Sequence, residues 1–356
     1  MKKTFIACCI LLTAMAHTAT ARIWRVNNDL TRDPDFANIG AAVTAAAPGD
    51  TIHVEPSATA YANFILNKPL VILGNGYFLN GGNLQANKDS SVVNGLSIDS
   101  TSVTANGSGS IIAGIVFGGS ISLLHNVRNI TITRCQLVSQ FNVVAYDRAA
   151  SGISVTKCFL QSFVTESTVT APVNITFENN IFSAATGVSG STIVLGNNFS
   201  GLFRNNVVNQ NVASCTLNNF YIANNVFSNA TLAALNGGNN IIRNNSFAAA
   251  TVTNVTNGAD GNQTNVAMAP LFAGNLATGY GDTRFQTVAA TSLRASGETI
   301  GGITPDRGAY NTVTTTDTYR TSGIPAIPTI YSLTVPISIP PTAVTMDITV
   351  STRSNN

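Results

Sequence analysis

Apolar and polar positions alternate in short runs along most of the chain, and between Arg128 and Phe247 the alternation itself repeats. Ile132-Thr133-Arg134-Cys135-Gln136-Leu137 and Val155-Thr156-Lys157-Cys158-Phe159-Leu160 share one pattern with Phe177-Glu178-Asn179-Asn180-Ile181-Phe182. Phe203-Arg204-Asn205-Asn206-Val207-Val208, Ile222-Ala223-Asn224-Asn225-Val226-Phe227 and Ile242-Arg243-Asn244-Asn245-Ser246-Phe247 continue it. The fourth position recurs every 19 to 26 residues. A period near 20, built from β-branched runs and an Asn-rich corner, predicts a solenoid that coils strands. One unit cannot bury its own apolar residues. Stacked units can, with equivalent residues about 4.8 Å apart in columns. Asn suits the corner because it tolerates the left-handed region and its amide can bond to the Asn one coil away. The Asn pairs therefore read as scaffold.

The same patterning extends in both directions. Ile23-Trp24-Arg25-Val26 reads as a first strand, and 38–47 as an Ala-rich helix closed by Pro48-Gly49. Thr51-Ile52-His53-Val54 then begins the first coil. Gly76, Gly95 and Gly114 stand 19 apart and are expected at one tight corner with positive φ. About ten coils are expected, a rod of roughly 50 Å at the interstrand spacing. Beyond Asn254 the period fades. Residues 22–318 are read as one β-helix domain, and 319–356 as an extended segment that packs on the rod or extends from it.

Composition supports an all-β chain and narrows its setting. Only 10% of the 356 residues are charged, and 29 are glycine. Residues 1–21 read as a secretory leader: Lys2 and Lys3, the apolar run 5–16, then Ala19-Thr20-Ala21. Its removal leaves 16 basic against 16 acidic residues. A neutral chain with scattered charge offers no footprint for nucleic acid, and no apolar run reaches spanning length. A secreted, surface or periplasmic location is expected. Cys135 and Cys158 fall at one repeat position in successive coils, within reach of a disulfide in an oxidising compartment. Two stacked thiols are the preferred reading.

Residues 36–54 carry a family resemblance. Phe36, Ile39, Ala42-Val43, Ala46 and Gly49-Asp50-Thr51-Ile52-His53-Val54 fit the pattern F-x-x-I-x-x-A-V-x-x-A-x-x-G-D-T-I-x-V. This resembles the capping helix and first strand of right-handed parallel β-helix proteins of the pectin-lyase-like superfamily. Ala269-Pro270-Leu271-Phe272, Asp282-Thr283-Arg284-Phe285 and Asp306-Arg307-Gly308-Ala309-Tyr310 are similar to the closing segment of bacterial secreted members. The resemblance implies a single-stranded right-handed parallel β-helix with an N-terminal capping helix. It leaves activity open, since lyases, hydrolases, esterases and non-enzymes share the fold.

The motifs that the resemblance attaches to catalysis are missing. Hydrolases of the type use a trio of Asp, lyases use Asp ligands for Ca²⁺ with an Arg or Lys base, and esterases pair two Asp with an Arg. Between Arg128 and Ala250 the acids are Asp147, Glu166 and Glu178, none adjacent to another. Glycosidic hydrolysis needs two facing carboxylates, and a bound Ca²⁺ needs several oxygens. No cofactor is expected, with Ca²⁺ entering only if the protein is a lyase. The remaining candidates are Arg134 and Lys157, at one position in neighbouring coils, with Asp147 on the loop between them. A solvated face is the preferred reading; an anionic-sugar contact or a lyase-like base is the sharper one. His53 and His125 are read as structural, and Glu178 with Arg204 as a cross-coil ion pair.

The preferred function is a non-catalytic, exported protein that binds glycan or another surface along one long face. Two alternatives stand beside it: a lyase or hydrolase of acidic polysaccharide, and a structural module that self-assembles through its apolar C-terminal segment.

Overall fold

The computed structural model describes residues 21–353 apart from 81–84, 102–105, 145, 162–163, 184–192, 211–213, 277–280, 290, 314–317, 337 and 339–344. The expected leader lies outside the described residues except for Ala21. The chain is a single-stranded right-handed parallel β-helix in which each coil from the second onward gives one strand to each of three parallel sheets, while the first gives strands to two. Sheet I has ten strands, from Ile23–Val26 to Ile241–Arg243. Sheet II runs from Val92–Val93 to Ser246–Phe247 and sheet III from Phe64–Leu66 to Ala234–Asn236, with eight strands each. Eight coils result: 51–66, 71–98, 111–124, 131–144, 150–167, 173–195, 199–217 and 220–236, numbered 1 to 8 below. The ten expected coils correspond to sheet I alone. Its first strand precedes the helix, and its last opens a turn whose third side is the single bridge Ala234–Thr253.

Strict register builds the core. Ile132 pairs with Ile112 and Val155, and Leu137 with Phe117 and Leu160, so apolar side chains stack coil on coil. The rings of Phe227 and Phe247 lie 4.8 Å apart and 6° from parallel, which is the interstrand spacing expressed in aromatic stacking. Each such ring contributes about 1.5–3 kcal/mol through burial.

The corner between sheets I and II divides its labour between two adjacent residues. The first is left-handed from coil 3 onward: Gly114, Arg134, Lys157, Asn179, Asn205, Asn224, Asn244 and Gly261 have φ between 50° and 73°. The second forms a buried ladder. Nδ2 of Asn180 donates to Oδ1 of Asn206 (3.1 Å), Asn206 to Asn225 (3.0 Å), Asn225 to Asn245 (2.9 Å) and Asn245 to Asn262 (3.1 Å). Each amide also donates to a backbone carbonyl, as Asn206 does to Phe177 O at 3.0 Å. Cys158 and Cys135 extend the column in sulfur: Cys158 N–H donates to Asn180 Oδ1 (2.9 Å) and Cys135 N–H to Cys158 Sγ (3.4 Å). Both thiols are free and donate to the carbonyls of Thr133 and Thr156.

The spacing of Gly76, Gly95 and Gly114 does not mark one corner. Gly114 follows Ala113, which pairs with Leu73, so its equivalent is Gly74. Gly95 instead precedes sheet III, where Leu96 pairs with Ile121. Coil 2 carries a long excursion after Leu73, and the even spacing is coincidental.

At the N-terminal end the helix spans Ile39–Ala45, shorter than expected, with Asn38 as its N-cap accepting from Ala41 N–H at 2.8 Å. Ile39, Ala42 and Val43 are buried and close the core. Asp50 fixes the helix to the first strands. Its carboxylate accepts from Arg22 N–H, Trp24 Nε1–H and Ala47 N–H at 2.8–2.9 Å, and these bonds hold its pKa below the usual range.

The C-terminal passage returns along the outside of sheet II as a strap. It starts near Val266 and reaches back to coil 2. Val116, Phe159, Ile181, Val207 and Val226 face outward from sheet II, yet they are buried beneath Met268, Phe272, Phe285, Leu293, Ala309 and Tyr310. The Asp306-to-Tyr310 motif supplies the anchor. Arg307 donates to Ser296 O (2.9 Å), Ser246 Oγ (3.1 Å) and Gly261 O (3.1 Å). Gly308, at φ 94°, donates to Asn224 O at 2.8 Å, and a Cβ there would press on Val207 and Val226. At the far end Asp282 accepts from Ser322 N–H (2.6 Å) and Tyr319 OH (3.0 Å), and Tyr319 bonds Tyr77 of coil 2. Beyond it, Thr329–Thr334 and Thr349–Arg353 form an antiparallel hairpin.

Candidate functional site

The three residues singled out from sequence do not meet in one place. Arg134 and Lys157 do share a corner, between sheets I and II. Arg134 is half-buried there, donating to Ile324 O of the strap at 2.9 Å, and burial together with the nearby Arg320 lowers its pKa. Lys157 donates its backbone N–H to Glu178 O at 3.1 Å. Asp147 lies at the other end of the sheet I strand Ala150–Thr156, on the corner between sheets III and I. At about 3.3 Å per residue that seven-residue strand keeps it more than about 20 Å from Lys157. Glu178 and Arg204 form the expected cross-coil pair, with Arg204 Nε donating to Glu178 Oε1 at 2.7 Å.

Asp147 belongs to a different assembly. At the III-to-I corner the connections 99–110, 125–130, 145–149 and 168–172 are long, whereas 196–198 and 218–219 are short. The longer ones leave an open groove of about 760 Å³, lined by Ser100, Thr101, Asn106, Ser108, His125, Asn126, Arg128, Asn129, Asp147, Arg148, Thr168 and Thr170. Every lining residue is polar. Four of them, His125, Asn126, Asn129 and Thr168, sit at φ between 51° and 63°. For a β-branched Thr this is strained backbone, and strain of that kind gathers at binding sites.

Hydrogen bonds hold the groove from coil to coil. Asn126 Oδ1 accepts the backbone N–H of Asp147 and of Arg148, each at 3.0 Å, while its Nδ2 donates to Asp147 Oδ1. That side-chain bond lowers the pKa of Asp147. Arg128 N–H donates to Ser108 Oγ at 2.9 Å. Beneath them Tyr146 is fully buried; its hydroxyl donates to Val127 O (3.2 Å), and its carbonyl accepts from Thr170 N–H (2.8 Å). His125 Nδ1–H donates to Asp99 Oδ1 at 2.8 Å, one coil apart, so that Nε2 is the ring nitrogen this bond does not use.

This arrangement offers hydroxyl, amide and guanidinium groups to a ligand, with both carboxylates already engaged by neighbours. His125, structural by the sequence reading, lines the groove, and its partner Asp99 carries no sequence motif of its own. The pair is invisible without register, because one coil separates its members. Among the described residues no three of His, Cys, Asp and Glu come together in a group that could hold a metal ion. No helix is long and apolar enough to cross a membrane.

The fold is similar to that in the crystal structure of pectate lyase Pel9A, at 15% sequence identity and a TM-score of 0.39, over 83% of this chain and 97% of that chain. No family model and no curated protein matches the sequence. At that identity nothing about activity follows.

Proposed function

We propose that this protein binds glycan in the groove at the III-to-I corner and does not cleave it, acting as an exported or surface-located binding protein. The observation that carries the reading is the groove itself: wholly polar, built on strained and cross-braced backbone, with its acids held by Asn126 and His125. Sugar rings present hydroxyls in fixed directions, and preformed amide, hydroxyl and guanidinium groups match them at little ordering cost. A glycan array probed with the full chain tests it. Binding that falls in Arg128→Ala is expected, and an array with no positive spot would sink the proposal.

A second reading, a lyase or hydrolase of acidic polysaccharide, draws on the His125–Asp99 contact. A carboxylate behind an imidazole orients a general base. Reducing-end release from acidic and neutral polysaccharides, with and without Ca²⁺, separates the two readings. No release is expected; turnover that disappears in His125→Ala would replace binding with catalysis.

A further inference from the structure

A second concavity, of about 500 Å³, lies at the N-terminal end of the rod, on the corner between sheets I and II. Its floor is the outer face of the first sheet I strands, where Arg25 pairs in register with His53 and His53 with Leu73. Arg32, on the short turn Leu30–Arg32, borders it, as does Asn87 on the long excursion after Leu73. Several of its polar groups are already engaged. Glu55 accepts from Arg25 Nε at 2.6 Å and from Asn27 Nδ2 at 3.0 Å. Asn75 Nδ2 donates to Asp89 O at 2.8 Å. Three donors are left over. The half-buried His53 ring has no hydrogen-bond partner among the described residues. Asn87 uses its Oδ1 to accept Asp89 N–H at 2.9 Å and keeps its Nδ2. Arg32 pairs loosely with Asp29, Nε to Oδ2 at 3.5 Å, and stays mostly exposed.

We infer that this pocket is a second binding site, for a small molecule bearing one oxyanion group, carboxylate or phosphate, held by Arg32, Asn87 and His53. The site is independent of the glycan groove. Charge complementarity sets the sign of the ligand: two guanidiniums line the pocket against one carboxylate, and that carboxylate is bound to Arg25. Guanidinium, amide and imidazole N–H groups all donate, and an oxyanion accepts from several donors at once. The volume falls in the range of small-molecule sites. The charged groups facing His53 are Arg25 from the first strand, Glu55 from its own strand and Arg32 from the turn; Leu73, Asn75 and Asn87 add none. Burial holds the His53 pKa below the ordinary histidine range, which Arg25 reinforces and Glu55 opposes. An anion beside the ring favours its charged form, so binding draws the pKa up and strengthens as pH falls.

Histidine NMR of the full chain tests this, since the sequence holds only His17, His53 and His125. The His53 ring signal, assigned with His53→Gln, is followed while acetate or inorganic phosphate replaces chloride at constant ionic strength. A saturable shift of His53 is expected, with its pKa raised and His125 unmoved. The tighter of the two anions identifies the group the pocket takes. Arg32→Ala, at an exposed position, is expected to weaken binding about tenfold, with the unfolding midpoint unchanged. Asn87→Ala is expected to weaken it as well. No saturable shift with either anion, equal movement of His53 and His125, or unchanged affinity in Arg32→Ala would overturn the site.

Discussion

Two corners of the same rod use the same residue for opposite ends. Between sheets I and II the turns are tight, asparagine is buried, and its amide is consumed by the next coil. Between sheets III and I the connections of coils 2 to 5 are longer, and Asn126 and Asn129 hold the left-handed backbone of an open groove. Loop length decides the difference. A tight turn forces neighbouring amides into contact, whereas a longer one leaves space between coils that polar side chains can line. Asparagine content alone therefore does not separate scaffold from site; its neighbours one coil away do.

The largest effect expected from this contrast is in the ladder. Asn225→Ala removes the acceptor for both Asn206 N–H and Asn206 Nδ2 in a buried column. Urea unfolding should show a loss of about 2–4 kcal/mol. Asn129→Ala, at the exposed corner, should change it by less than about 1 kcal/mol. Equal losses would erase the distinction between the corners.

Next comes the strap's buried carboxyl. Burial pushes Asp282 up to about 6, against the stabilising bonds from Ser322 and Tyr319. The folded state therefore holds this proton more tightly than the unfolded chain. Its contribution is full below about pH 4 and is lost as pH rises through about 6, a change of about 3 kcal/mol. Unfolding free energy measured from pH 4 to 7 should decline more steeply in the native protein than in Asp282→Asn. Parallel curves would show that the carboxyl does not titrate in this window.

A smaller effect belongs to the groove. Arg128→Ala should weaken glycan binding about tenfold by calorimetry, since a charged hydrogen bond contributes about 1.5 kcal/mol, with no change in unfolding midpoint. The smallest concerns the hairpin, where Leu333 and Val350 face each other half-exposed. Light scattering of the chain with and without residues 328–356 is expected to give the same oligomeric state; a fall in mass on truncation would restore the self-assembly reading.

The scaffold was legible in the sequence because its forces are local to the repeat. A left-handed corner selects Asn or Gly, and columns select apolar residues at fixed phase, so Asn180, Asn206, Phe203 and Phe227 announce themselves. The resemblance in residues 36–54 carried the capping helix, and Asp50 gives its physical reason. The groove was not legible, because His125 and Asp99 meet only through coil register, and the long excursion of coil 2 obscures that register. Arg134 and Asp147 were grouped through nearness in sequence, which a strand of seven residues undoes. The strap does leave a sign in the sequence. Phe159, Ile181, Val207 and Val226 are apolar where an uncovered sheet would present polar side chains.

The strap also changes how the rod must come into being. A stack of repeats held by neighbour contacts alone can nucleate anywhere and fray from either end. Here Arg307 is seated on the last coil and Tyr319 bonds Tyr77 near the first, in a chain made from the other end. The earliest coils emerge during synthesis with their outer apolar row bare and stay so until the final fifth of the chain arrives. The longest-range contacts in the molecule are thus formed last. They turn a one-dimensional array into a closed circuit in which loosening either end is felt at the other.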